Sequence, residues 1–97
     1  MPVLNAPKQY VLASNASATG TGVKWPGGPG TFSAEATFGG GTITLQVQTA
    51  TGTWIAVGSD TTLTAAGIAG FILPNGSNIR ALIATATAVW AFATPMT

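Results

Sequence analysis

Thr31-Phe32-Ser33-Ala34-Glu35-Ala36-Thr37-Phe38-Gly39-Gly40-Gly41-Thr42-Ile43-Thr44-Leu45-Gln46-Val47-Gln48 decides the fold. Phe32, Ala34, Ala36 and Phe38 alternate with polar residues, and after three glycines Ile43, Leu45 and Val47 do the same. A period of two places alternate side chains on opposite faces, so each run predicts a half-buried strand. Phe32, Phe38, Ile43, Leu45 and Val47 are expected in the core. Thr31, Ser33, Glu35, Thr37, Thr42, Thr44, Gln46 and Gln48 are expected to face away. Gly39-Gly40-Gly41 is a short glycine link of the kind that joins hairpins, so the two strands are expected to pair antiparallel.

Working outward, Thr51-Gly52 turns the chain into Thr53-Trp54-Ile55-Ala56-Val57, and Gly58-Ser59-Asp60 ends that strand, completing a three-strand meander. Ile68 to Leu73 and Ile79 to Ala84 flank Pro74-Asn75-Gly76-Ser77, where Asn-Gly suits a tight hairpin turn. Thr87 to Phe92 reads as a closing strand and Gln9 to Ala13 as an opening one, both from their β-branched and aromatic content. No segment carries a capped helical period. The expectation is an all-β chain, an antiparallel β-sandwich with the jelly roll as one form of it. Residues 1–22, with two prolines and few anchoring side chains, are read as a flexible N-terminal arm plus the first strand, and 23–97 as the sandwich.

A chain of 97 residues holds a single domain. Its charge is sparse, with three basic and two acidic residues (Lys8, Lys24, Arg80, Glu35, Asp60), while hydrophobic residues make up 46%. Histidine and cysteine are absent, which removes the usual neutral-pH base, the thiolate nucleophile and the common zinc ligands. Glu35 and Asp60 are the only carboxylates available for a glycosidase pair, and they read better as a solvent-facing residue and a turn residue. The glycine-rich loop from Ser14 to Gly30 lacks the lysine and the helix that a phosphate cradle requires. The chain is therefore expected to be no enzyme and to need no cofactor or metal. A net charge of +1 without a basic stripe disfavours nucleic acid as a partner. The apolar stretch from Ala81 to Ala93 is too short for a membrane span. Met1 to Lys8 lacks the form of a secretory signal, so synthesis in a cytoplasm without processing is expected.

From Trp25 to Ile83 the chain resembles small structural proteins of tailed-bacteriophage virions. The resemblance is carried by Trp25-Pro26-Gly27-Gly28-Pro29-Gly30-Thr31-Phe32, Phe38-Gly39-Gly40, Leu45-Gln46, Trp54, Val57-Gly58, Asp60-Thr61-Thr62-Leu63-Thr64-Ala65, Leu73-Pro74 and Ile79-Arg80-Ala81. It implies a head decoration, or cement, protein: a small β-sandwich, often trimeric, that binds the major capsid protein on the outer surface of an assembled phage head. A surface with little charge also favours close packing of identical copies, so a homo-oligomer is expected, with a trimer as the first choice. Trp25, Trp54, Trp90 and Tyr10 are the candidate interface residues. Trp25 together with the arm is read as the capsid-facing anchor, against the plainer reading that Trp25 lids the sandwich. A tail, spike or fibre component is the nearest alternative. A carbohydrate-binding module with Trp54 as its platform is a further one, with Gln46, Gln48 and Asn75 as the nearby amides.

Overall fold

The computed structural model describes residues 9–58 and 60–96. These form nine strands: β1 (Tyr10–Ala16), β2 (Val23–Lys24), β3 (Gly28–Thr37), β4 (Thr42–Gln48), β5 (Trp54–Ala56), β6 (Thr62–Leu63), β7 (Gly67–Leu73), β8 (Asn78–Ala84) and β9 (Thr87–Pro95). Two antiparallel sheets pack face to face. Sheet A has the order β1-β9-β3-β7, and sheet B the order β2-β8-β4-β5 with β6 also beside β4. The pairings nest from the ends of the chain inward: β1 with β9, β2 with β8, β3 with β7, β4 with β5. Contacts of β9 with β3 and of β8 with β4 then close each sheet. The chain is an all-β sandwich, as its alternation implies.

Two expected hairpins are not formed. β3 and β4 belong to different sheets, as do β7 and β8, so the three-strand meander reduces to its β4–β5 half. The link after β3 does make a tight turn, with Gly41 N–H donating to the Phe38 carbonyl at 2.7 Å and both Gly39 and Gly40 at positive φ. Beyond it the chain crosses from sheet A to sheet B instead of pairing on itself. The connection between β8 and β9 crosses back alongside: a side chain at Gly41 would overlap the Ala84 carbonyl oxygen and lie 2.6 Å from the Ala86 nitrogen. At the other turn only Gly76 has positive φ, Asn75 does not, and the loop is tied sideways to Trp25. There Trp25 N–H donates to the Ser77 carbonyl at 2.7 Å and Gly76 N–H to the Trp25 carbonyl at 2.9 Å. Alternation is the same whether neighbouring strands pair edge to edge or stack across a core, so it cannot separate the two cases.

Phe32, Ile43 and Leu45 are fully buried as expected, with Ile79 and Val89 beside them. β9 contributes Ala91 and Ala93 to the same core, small residues that leave room for the bulky ones opposite. Phe38 and Val47 are only partly buried: Phe38 lies just past the end of β3, and Val47 is next to last in β4. Thr44, expected outward, is buried: β6 lies against its flank and its hydroxyl donates to Thr62 Oγ1 at 3.1 Å. Tyr10–Ala16 of the proposed arm is a strand of sheet A, and residues 1–8 of that arm lie outside the described residues.

The loop between β5 and β6 is closed by Thr61, which is almost wholly buried. Its hydroxyl donates to the Val57 carbonyl at 2.8 Å, and its carbonyl accepts from Leu45 N–H at 3.1 Å. Thr61→Val keeps the shape and removes the hydroxyl that donates to the Val57 carbonyl. A loss of about 1–2 kcal/mol is expected, read as a lower urea midpoint at unchanged slope.

Candidate functional site: the two outer faces

Strand register decides what each sheet shows to solvent. In sheet A, Phe92 of β9 lies beside Ser33 of β3 and Val11 of β1, and Ser33 lies beside Ile68 of β7. Since Phe32 and Ala34 point inward, Val11, Phe92, Ser33 and Ile68 make an outward row across the whole sheet. A second outward pair is Glu35 with Trp90, and a third is Pro29 with Ile72. Met96, whose N–H donates to the Pro29 carbonyl at 3.1 Å, closes the far end. Ile72 and Ile68 are 75% and 71% exposed, Met96 63%, Val11 50% and Trp90 41%. Most soluble proteins scatter such residues singly, whereas here these five lie on sheet A, with Ile55 on β5 the exposed one of sheet B. An open groove of about 480 Å³ runs across it, lined by Ser33, Glu35, Ile68, Trp90 and Phe92 among others.

Sheet B shows a different surface. Gln46 and Gln48 of β4 stand beside Ala56 and Trp54 of β5 on one side and, for Gln46, Arg80 of β8 on the other. The Arg80 guanidinium lies 4.3 Å from the centre of the Trp54 ring, and its Nε donates to Gln46 Oε1 at 2.8 Å. Asn78 Nδ2 donates to Gln48 Oε1 at 2.9 Å, and Gln48 Nε2 to the Gly52 carbonyl at 3.2 Å. Lys24 is in register with Asn78. The cations of the described residues thus gather on sheet B, while Glu35 stands on sheet A. The polar groups of sheet B largely bond to one another, and a guanidinium covers one face of Trp54.

The four candidate interface residues separate cleanly. Trp90 is exposed on sheet A, and Trp54 is half-buried on sheet B with the Arg80 guanidinium over its ring. Trp25 is fully buried, which overturns its reading as an exposed anchor in favour of the lid. Its ring fills the space left by the missing side chain of Gly30, 4.9 Å from Phe71 and edge-on to Tyr10 at 5.6 Å. Its indole N–H donates to the Gly28 carbonyl at 3.1 Å, so the polar end is satisfied as well. Tyr10 is half-buried and serves as a wall of that pocket. Asn75, offered as a sugar-binding amide, is in the turn between β7 and β8, and the amide that joins Gln48 is Asn78. Glu35 and Asp60 line separate grooves.

Val11, Ile68, Ile72 and Met96 escaped the sequence reading. The signal was present in Gly67-Ile68-Ala69-Gly70-Phe71-Ile72-Leu73, which has no polar side chain on either face. A continuous apolar run is the pattern of a strand covered on both faces. Here Ala69 and Phe71 are covered and Ile68 and Ile72 are not. No family model, no curated protein and no solved structure matches this chain.

Proposed function

We propose that this chain is an assembly protein, a virion structural component of the head-decoration type, that works by packing against a larger protein lattice and against copies of itself. The observation that carries the reading is the apolar outer face of sheet A, where Val11, Ile68, Ile72, Trp90 and Met96 stand together with Glu35 as the charged group among them. A face of that composition favours burial at about 25 cal/mol per Å² of apolar surface. The nested pairing of β1 with β9, β2 with β8, β3 with β7 and β4 with β5 supports a jelly roll, an architecture that serves in viral capsids and in lectins alike. Fold therefore weighs less than the face. Binding on the outside of a head needs no chemical step: modest contacts, repeated by a symmetric oligomer, gain about 10²–10⁴ in avidity.

The carbohydrate reading rests on the other sheet, where Gln46, Gln48, Asn78 and Arg80 surround Trp54. It is the weaker of the two, because those groups already satisfy one another and the ring already carries a cation.

The test is co-sedimentation with heads assembled from the major capsid protein encoded in the same genome. The protein is expected to pellet with the heads and to raise the temperature at which they open, and Trp90→Ala is expected to weaken both effects while leaving the fold intact. Absence of binding to such heads, or absence of a capsid gene from that genome, removes the decoration reading.

A further inference from the structure

We propose that β7 is a docking edge for a second copy of this chain, pairing antiparallel with the partner's β7 about a two-fold axis at Gly70 and joining two copies of sheet A into one eight-stranded sheet. The inference deepens the assembly reading by naming the strand and the register.

β7 is the last strand in the order of sheet A, paired with β3 along one side only, from Gly67 to Leu73 without a bulge. Its other side presents ladder N–H and C=O groups, a template for another strand. Natural edges are usually guarded by a charge, a proline, a bulge or extreme shortness. β7 has seven residues and none of the first three devices. Val57, Gly58 and Asp60 of the β5–β6 loop line an open groove together with Gly70, Phe71 and Ile72, so a second strand added at this edge passes beside that loop. The opposite edge of sheet A, β1, is broken by register shifts after Val11 and after Ala13, and the outer strands of sheet B, β2 and β5, are two and three residues long. β7 is the long, regular edge that remains.

The strand is also self-complementary. A two-fold antiparallel pair must set one residue opposite itself, and full overlap of Gly67–Leu73 makes that residue Gly70, which carries no side chain to clash at the axis. Ile68 then stands opposite the other copy's Ile72, and Ile72 opposite its Ile68. These are the two most exposed large hydrophobic side chains among the described residues, and both point to the outer face. At about 3.3 Å per residue the shared edge is roughly 23 Å long. A strip of that length and about 10 Å deep falls short of the ~1,000 Å² that a persistent dimer buries, so the contact is weak alone and effective when repeated in an assembly.

The chain has no cysteine, so a single introduced one reports on the axis. Gly70→Cys fits the fold, since a Cβ there meets only the Gly30 carbonyl oxygen at 4.0 Å. Directly opposed residues place their Cβ atoms about 4.5–5.5 Å apart, close enough for a disulfide after a small shift. Under mild oxidation this variant is expected to convert mainly to a covalent dimer, whereas Thr87→Cys, on β9 away from the edge, stays monomeric. Adding I68K and I72K sets lysine against lysine at both symmetric positions and is expected to slow cross-linking roughly tenfold. I68K with I72E sets lysine against glutamate and is expected to restore the parent rate. The docking edge is overturned if Gly70→Cys does not cross-link while sedimentation shows an oligomer, a result that leaves the assembly reading standing. It is overturned in its register if the lysine–glutamate pair behaves like the lysine–lysine pair. A monomer by sedimentation at millimolar concentration with no cross-link removes self-association altogether, and head binding then stands or falls on the co-sedimentation experiment.

Discussion

Trp25→Ala is expected to cost about 3–5 kcal/mol, the range for truncating a large buried aromatic, and thus a large part of the roughly 5–15 kcal/mol that stabilises a domain. Three losses combine. The ring is fully buried between Tyr10 and Phe71, and its removal opens a cavity that Gly30 cannot fill. The Gly28 carbonyl loses its indole donor. The third loss is cohesion: Trp25 follows β2 at the rim of sheet B while its ring rests on residues of sheet A, so the side chain ties one sheet to the other. Thermal unfolding followed by near-ultraviolet circular dichroism measures the effect. Trp25→Phe is expected to recover part of the lost stability, because it restores apolar volume without the hydrogen bond. A Trp25→Ala protein as stable as the parent would falsify the buried position of this ring.

Gly41→Ala is expected to destabilise by at least about 3 kcal/mol, at or above the top of the range for overpacking. Two crossovers pass each other here, from β3 to β4 and from β8 to β9, and the added methyl would meet backbone atoms of residues 84–86. Backbone cannot swing aside as a side chain can. Thr85 already sits at φ 70 in the connection that passes it, a conformation that β-branched residues rarely adopt, so this segment has little freedom to yield. The neighbouring Gly39 and Gly40 have open space around the missing side chain, and substitution there is opposed only by their positive φ. Gly39→Asn is therefore expected to be much milder, since asparagine tolerates that region. Urea denaturation of the two variants side by side distinguishes contact at Gly41 from backbone preference at Gly39.

Strand existence was legible because alternation is a local signal: Phe32, Ala34 and Ile43, Leu45 declare an inward face without knowing what lies opposite. Pairing was legible only in part: Thr51-Gly52 does join β4 to β5, whereas Gly39-Gly40-Gly41 makes the turn of a hairpin and yet feeds a crossover. What separates those outcomes is the crowding of Gly41 against residues 84–86, a contact between distant parts of the chain. Trp25 shows the same limit. Of the stretch from Ser14 to Gly30 read as loop, Pro26 and Gly27 do lie outside strands, but Ser14–Ala16, Val23–Lys24 and Gly28–Gly30 belong to β1, β2 and β3, and the burial of the ring depends on Gly30, Phe71 and Tyr10 meeting around it. The candidate face was half visible. β7 shows its surplus of apolar side chains openly, whereas the company of Val11, Phe92 and Ile68 exists only in the register of four strands.

The nested pairing also sets the order in which sheet A can be completed. Tyr10 is among the first described residues to be synthesised and its register partner, Ala93, is among the last. β9 moreover lies between β1 and β3, so the centre of the sheet is supplied by its final strand. While the chain is being made, β4 can find β5 and β3 can find β7, but β1 has no neighbour to join. Contacts of such long sequence separation close slowly, on the order of milliseconds to seconds for all-β domains, because loop entropy must be lost before the ladder forms. Until β9 slots in, the nascent sheet has open edges on either side of the gap, and the chain stays exposed to wrong partners for as long as that strand is missing.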